Sequence, residues 1–164
     1  MNSWLLAAAV TMAVAFAPAW PAGQEKPVPE APYVERGQKQ FNFYPGGKIE
    51  ITAGMPGNVE IQGWERSSVI VESERIVYYL PHDQAKELAA AYPLRVRYTQ
   101  TSATITAQGP PKSPPAMETN LRLFVPREKT DLKITVVQGD LAVRLVNGWV
   151  EANLEQGNVE ARSM

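Results

Sequence analysis

The 164-residue chain contains no cysteine and one histidine. Without cysteine there is no disulfide scaffold, no thiolate zinc site and no cysteine nucleophile. A single imidazole, His82, excludes any multi-histidine metal centre and leaves one candidate imidazole base. An excess of either charge is also missing: 16 basic residues face 17 acidic ones, for a formal net charge of −1. A nucleic-acid-binding protein would usually carry a basic excess, so that class is set aside. The length suits one ordinary domain with a tail.

The amino terminus lacks lysine and arginine, yet residues 4–17 form one uncharged apolar run from Trp4 to Ala17. The run is shorter than the ~20 apolar residues of a membrane span. It fits the apolar centre of a secretory signal, and Ala17-Pro18-Ala19 supplies a small-x-small cleavage site. Residues 1–19 are therefore expected to be a signal peptide cleaved after Ala19, with cleavage after Ala22 or an uncleaved anchor as alternatives. No cysteine follows the run, so there is no lipid-attachment site. The expected location is secreted, periplasmic or cell envelope. Residues 20–40 hold Pro21, Pro27, Pro29 and Pro32 with no apolar periodicity, and are expected to form an extended tether.

From Phe41 onward the pattern has period two. Ile49 and Ile51, Val59 and Ile61, Val69 and Val71, and Leu94, Val96 and Tyr98 alternate with polar neighbours. Ile105, the set Leu121, Leu123 and Val125, and the set Leu132, Ile134 and Val136 continue it. Such alternation marks half-buried strands, and β-branched residues favour a pleated surface. Prolines fall outside these runs, as residues that cannot donate to a strand ladder should. Pro110, Pro111, Pro114 and Pro115 mark a loop over 108–119. One segment breaks the pattern: Ala85, Leu88, Ala89 and Tyr92 share a helical face between Pro81 and Pro93. It predicts an amphipathic helix over 81–92.

The carboxy-terminal third repeats itself. Gly139-Asp140-Leu141-Ala142-Val143, Gly148-Trp149-Val150-Glu151-Ala152 and Gly157-Asn158-Val159-Glu160-Ala161 follow one another at a nine-residue spacing. Gly57-Asn58-Val59-Glu60-Ile61 is an earlier copy. In each, the third and fifth residues are apolar and expected to point inward. Gly57, Gly139, Gly148 and Gly157 are expected at turns or close chain approaches. Two arrangements fit. One stacks the strands as a solenoid. The other is an antiparallel meander in which a turn at Asn147-Gly148 pairs Val146 with Trp149, Leu145 with Val150 and Val143 with Ala152.

These repeats, with Gly63-Trp64, the inserted helix and the Leu121–Pro126 strand, resemble a bacterial putative-adhesin family of unknown function whose members carry tandem Gly-Asp-Val type strands. The resemblance covers about residues 41–164. It implies an exported all-β domain, a right-handed β-solenoid or β-helix-like repeat with one inserted helix. An antiparallel meander or sandwich is the alternative. The sequence stops at Met164 directly after a repeat strand, so a fragment or an open strand edge is expected.

Few groups carry chemistry. His82 lies at the start of the predicted helix with no nucleophile pattern around it and reads as an exposed turn residue. Glu60, Glu151 and Glu160 recur at one outward repeat position and read as a solvated face, with a glycan-cleaving carboxylate pair as the sharper alternative. Asp140 follows a glycine, but the calcium-binding nonapeptide is absent. Arg95, Arg97, Arg122 and Lys133 belong to a mixed polar surface. Trp64 reads as packing, whereas Trp149 is expected to point outward. No phosphate loop, dinucleotide fingerprint, zinc motif or serine elbow occurs. No catalytic, cofactor or metal site is expected, and Trp149, Glu151 and Glu160 are the candidate surface-binding residues. The expected function is a non-enzymatic adhesin-like or scaffolding protein of the cell envelope whose partner is an envelope protein or a surface glycan. Alternatives are an envelope-stress accessory that pairs, or self-associates, through its last strand, and a glycan-active enzyme.

Overall fold

The computed structural model describes residues 31–110 and 117–162. The expected signal peptide, the first part of the expected tether and the middle of the proline-rich loop lie outside these residues. Among the described residues are eleven strands and one helix: β1 Tyr33–Asn42, β2 Lys48–Ala53, β3 Val59–Trp64, β4 Ser68–Val77, α1 His82–Ala91, β5 Arg95–Tyr98, β6 Ser102–Ala107, β7 Met117–Pro126, β8 Asp131–Gln138, β9 Leu141–Arg144, β10 Val150–Gln156 and β11 Val159–Arg162. Strand β1 begins inside the stretch read as tether.

The strands form two mixed sheets. The six-stranded sheet has the order β1-β4-β7-β3-β9-β11, and the five-stranded sheet β10-β8-β2-β6-β5. One core lies between them. Ile49, Ile51, Val59, Ile61, Ile105, Leu123, Ile134 and Leu141 are all buried there. The period-two alternation therefore aims the expected residues inward, because successive side chains leave a strand on opposite faces.

The arrangement is β-sandwich-like, which corrects the expectation of a right-handed β-solenoid. In a solenoid, coils consecutive in sequence lie next to one another. Here the β2/β3 unit sits between β6/β7 and β8/β9. Strand β4 runs antiparallel to β7, and β5 antiparallel to β6. β7 lies between β4 and β3, and β6 between β5 and β2, while β9 and β8 take the other edges of β3 and β2. The antiparallel meander fails as well. β9 and β10 lie in different sheets, so Asn147-Gly148 is a corner between sheets and the Val146–Trp149 hairpin register is not formed. β8, β2 and β6 are parallel neighbours, as are β7, β3, β9 and β11.

Helix α1 presents Ala85 and Ala89 to the core, with Leu88 and Tyr92 partly buried, on the face the spacing predicts. No basic residue sits in its last turn. Arg75 of β4 serves instead: its buried guanidinium donates through Nη1 to the carbonyls of Ala89 at 2.6 Å and Tyr92 at 2.7 Å. A cation there meets the negative end of the helix dipole.

The two ends of the sandwich differ. At one end Phe41 of β1 stacks on Tyr98 of β5 with centroids 4.1 Å apart, and Lys39 lies over the same ring. This closes the two edge strands on each other. At the other end stand β10 and β11.

Candidate functional site

Two surfaces carry the candidate residues and the repeat chemistry. The first is the outer face of the six-stranded sheet. Its register places Arg36 beside Glu74, Glu72 beside Arg122, and Arg122 beside Glu60. Arg36 Nε meets Glu74 at 2.9 Å, Arg122 meets Glu60 at 3.3 Å, and Arg144 reaches the same carboxylate at 3.8 Å. These pairs are solvent-exposed and each contributes only ~0–1 kcal/mol. They align opposite charges across five strands, from β1 to β9. They border a shallow depression of about 660 Å³ lined by Arg36, Gln38, Glu60, Glu72 and Arg122. Trp64 lies on this sheet too, packed on Phe124 at 5.4 Å, with its indole N–H donating to the Ser68 carbonyl at 2.8 Å.

The second surface is the β10/β11 end, and repeat chemistry builds it. Gly57, Gly139 and Gly157, just ahead of β3, β9 and β11, stand in register with one another and with Thr119 inside β7. The three glycines have φ of 151°, 141° and 138°, a region that favours glycine. A Cβ on Gly57 would lie 1.8 Å from the Thr119 carbonyl oxygen; on Gly139, 1.9 Å from that of Gly57; on Gly157, 1.9 Å from that of Gly139. The Gly57 N–H donates to the Gln138 carbonyl at 3.0 Å and the Gly139 N–H to that of Gln156 at 2.9 Å.

The next residues form a polar ladder. The backbone N–H of Asn58 donates to Asn120 Oδ1 at 2.9 Å, that of Asp140 to Asn58 Oδ1 at 3.0 Å, and that of Asn158 to Asp140 Oδ1 at 3.0 Å. Each copy thus caps the copy laid beside it. Gly148 belongs to the opposite corner, where a Cβ would lie 2.0 Å from the Thr130 carbonyl oxygen. Asp131 Oδ1 there accepts the Trp149 N–H at 3.0 Å. Trp149 occupies the ladder position but carries no side-chain acceptor. The residue is 70% exposed.

The candidate residues do not converge. Trp149 and Glu151 lie at the edge of the five-stranded sheet, and Glu160 at the edge of the six-stranded one. Glu151 and Glu160 alternate outward from opposite sheets, and Glu160 pairs with Arg162 at 2.6 Å. His82 is exposed; its Nε2 donates to the Ala31 carbonyl at 3.1 Å, and its ring meets Tyr33 edge-on. Among the described residues no group of three metal-ligating side chains comes together. Sequence reading missed Asn120, Asp131 and Arg75. The polar residue after each glycine was a visible signal for Asn58, Asp140 and Asn158. Asn120 and Asp131 have no glycine ahead of them and carried none.

Tyr78, at the end of β4, donates to Glu118 Oε2 at 3.1 Å. Burial, then the Glu118 charge, push its hydroxyl pKa above the usual tyrosine value.

No protein-family model matches the chain, and no curated protein matches it significantly. Solved structures do. A putative cell adhesion protein from Clostridium sporogenes aligns at 13% identity and TM-score 0.46, over 76% of this chain and 59% of its own. A putative adhesin from Bacteroides fragilis aligns at 9% identity and TM-score 0.42, over 78% and 56%. A putative adhesin from Parabacteroides merdae aligns at 10% identity and TM-score 0.35, over 77% and 56%. The chain spans less than two thirds of each of these structures.

Proposed function

We propose that this protein is an exported, non-enzymatic binding or scaffolding protein of the cell envelope, of adhesin-like type. The observation that carries the reading is the outer face of the six-stranded sheet. Its charges alternate in sign and are held in cross-strand pairs from Arg36 to Arg144. A surface with this alternation is complementary to a partner that carries the opposite charge pattern. The uncharged run 4–17 with its small-residue cleavage site supports export. The partner class is an envelope protein or a surface glycan. The fully folded chain is to be screened on arrays of both, with Arg122→Ala as comparison. Binding that Arg122→Ala weakens is expected, and no binding on either array overturns the proposal.

A further inference from the structure

We infer that the notch between the edge strands β1 and β5 is a binding site for a neutral glycan. The inference goes beyond the charged-face reading above and does not rest on it. The notch is a cavity of about 590 Å³ lined by Gln40, Phe41, Asn42, Tyr98, Thr99 and Gln100. That volume lies within the ~300–1,000 Å³ usual for small-ligand sites. Main-chain bonds tie its walls together. The Tyr44 N–H donates to the Gln100 carbonyl at 2.8 Å, and the Lys48 N–H to the Thr101 carbonyl at 3.0 Å. Thr99 braces the turn between β5 and β6, where its Oγ1 accepts the N–H groups of Thr101 at 3.3 Å and Ser102 at 3.0 Å. The Tyr98 ring is stacked on buried Phe41 with the two planes 11° apart.

Two features of the lining select the ligand. The first is that it carries polar groups but no charge. Gln40, Asn42 and Gln100 are exposed, and their side-chain amides hydrogen-bond to no other described residue. Each amide offers both donors and an acceptor, and a hydroxyl answers with the same pair of roles. A ligand rich in hydroxyl groups therefore finds a partner at each of the three positions. An ionised ligand would lose water there without meeting an opposite charge, which is costly. Lys39 stands outside the lining, with its Nζ 5.3 Å from the Tyr98 ring centroid. The second feature is aromatic. Tyr98 is 48% exposed even though it is stacked on Phe41, and Tyr44, bonded to Gln100 through its main chain, is 50% exposed. A tyrosine joins an apolar ring to a polar tip. A sugar ring, with C–H groups on its face and hydroxyls around its rim, is the chemical counterpart of that combination.

The test titrates the full chain with neutral tetrasaccharides of glucose, mannose, galactose and N-acetylglucosamine, and with the acidic tetrasaccharide of galacturonic acid, read by NMR shift changes. Binding of at least one neutral sugar is expected. Gln100→Ala and Asn42→Ala, both exposed changes, should each weaken it ~3-fold or more, since a lost hydrogen bond of this kind is modest. Tyr98→Ala should weaken it at least ~10-fold, as loss of a central aromatic contact does. That variant also takes a ring from Phe41, so a thermal melt checks its fold, and the two amide variants carry the test without it. No neutral sugar bound at ~10 mM, where even a millimolar Kd is visible, overturns the inference. So does tighter binding of the acidic tetrasaccharide, or an affinity that none of the three variants changes. Array binding that Arg122→Ala weakens, with no neutral sugar bound, overturns this inference alone and leaves the proposed function standing.

Discussion

Asp140 Oδ1 accepts two hydrogen bonds from Asn158, one from the backbone N–H at 3.0 Å and one from Nδ2 at 3.2 Å. One oxygen of one repeat copy thereby holds both the main chain and the side chain of the next. Replacing Asp140 by Ala should cost ~1 kcal/mol, because the Asn158 N–H is exposed and water partly replaces the lost acceptor. Asp140→Asn keeps an Oδ1 and should cost less. Equilibrium urea unfolding of the three proteins checks the order. An alanine variant no less stable than the asparagine variant would contradict the ladder.

Gly139 and Gly46 provide a matched pair. Both have positive φ, 141° and 92°. A Cβ on Gly139 lies 1.9 Å from the Gly57 carbonyl oxygen, whereas one on Gly46 meets nothing within 4 Å. Gly46→Ala should cost only the backbone term of ~1–2 kcal/mol. Gly139→Ala adds overpacking against main chain, for a total of ~2–5 kcal/mol. Thermal melts of both variants separate the two contributions.

Arg75→Met should destabilise the protein by ~2–4 kcal/mol. The change leaves the carbonyls of Ala89 and Tyr92 without the charged donor that satisfies them. The loss falls on the α1 end of the molecule, so amide exchange should quicken in 82–92 before it quickens in β2 and β8. Uniform change across these elements would show that Arg75 does not act through the helix.

Tyr78 predicts an alkaline effect. Its folded pKa is raised, by burial and then by Glu118, so the unfolded chain loses the proton first as pH rises. The stabilisation is complete below the unfolded tyrosine pKa of ~10 and is lost as pH climbs from there through the folded value. Tyr78→Phe should therefore flatten the decline of stability above pH ~10. An identical pH profile for the two proteins between pH 9 and 11 would remove Tyr78 as its source.

The strand interiors were legible because they depend on neighbours in sequence. Ile49, Ile51, Leu121, Leu123, Ile134 and Val136 alternate with polar residues, and all are buried. The helix was legible for the same reason: Ala85 and Ala89 lie one turn apart, and Pro81 stands at its N-cap. β1 was not. Its side chains from Val34 to Gln40 are exposed, so no hydrophobic alternation announces it, and ladder bonds to β4 hold it in place. The binding candidates were legible only as exposed residues. That Glu151 and Glu160 diverge follows from which sheet each repeat copy enters.

By itself the sequence determined which residues face inward, where the helix lies and that the Gly-Asx copies share one backbone shape. Each of these is a matter of local period and of a φ that only glycine tolerates cheaply. The tertiary structure alone decided the order of strands. Asn147-Gly148 suits a hairpin as well as a corner, and it is a corner because β9 and β10 lie in different sheets. Likewise β2 and β3 accept a parallel neighbour on either edge. Which neighbour takes which edge rests on contacts between residues far apart in the chain.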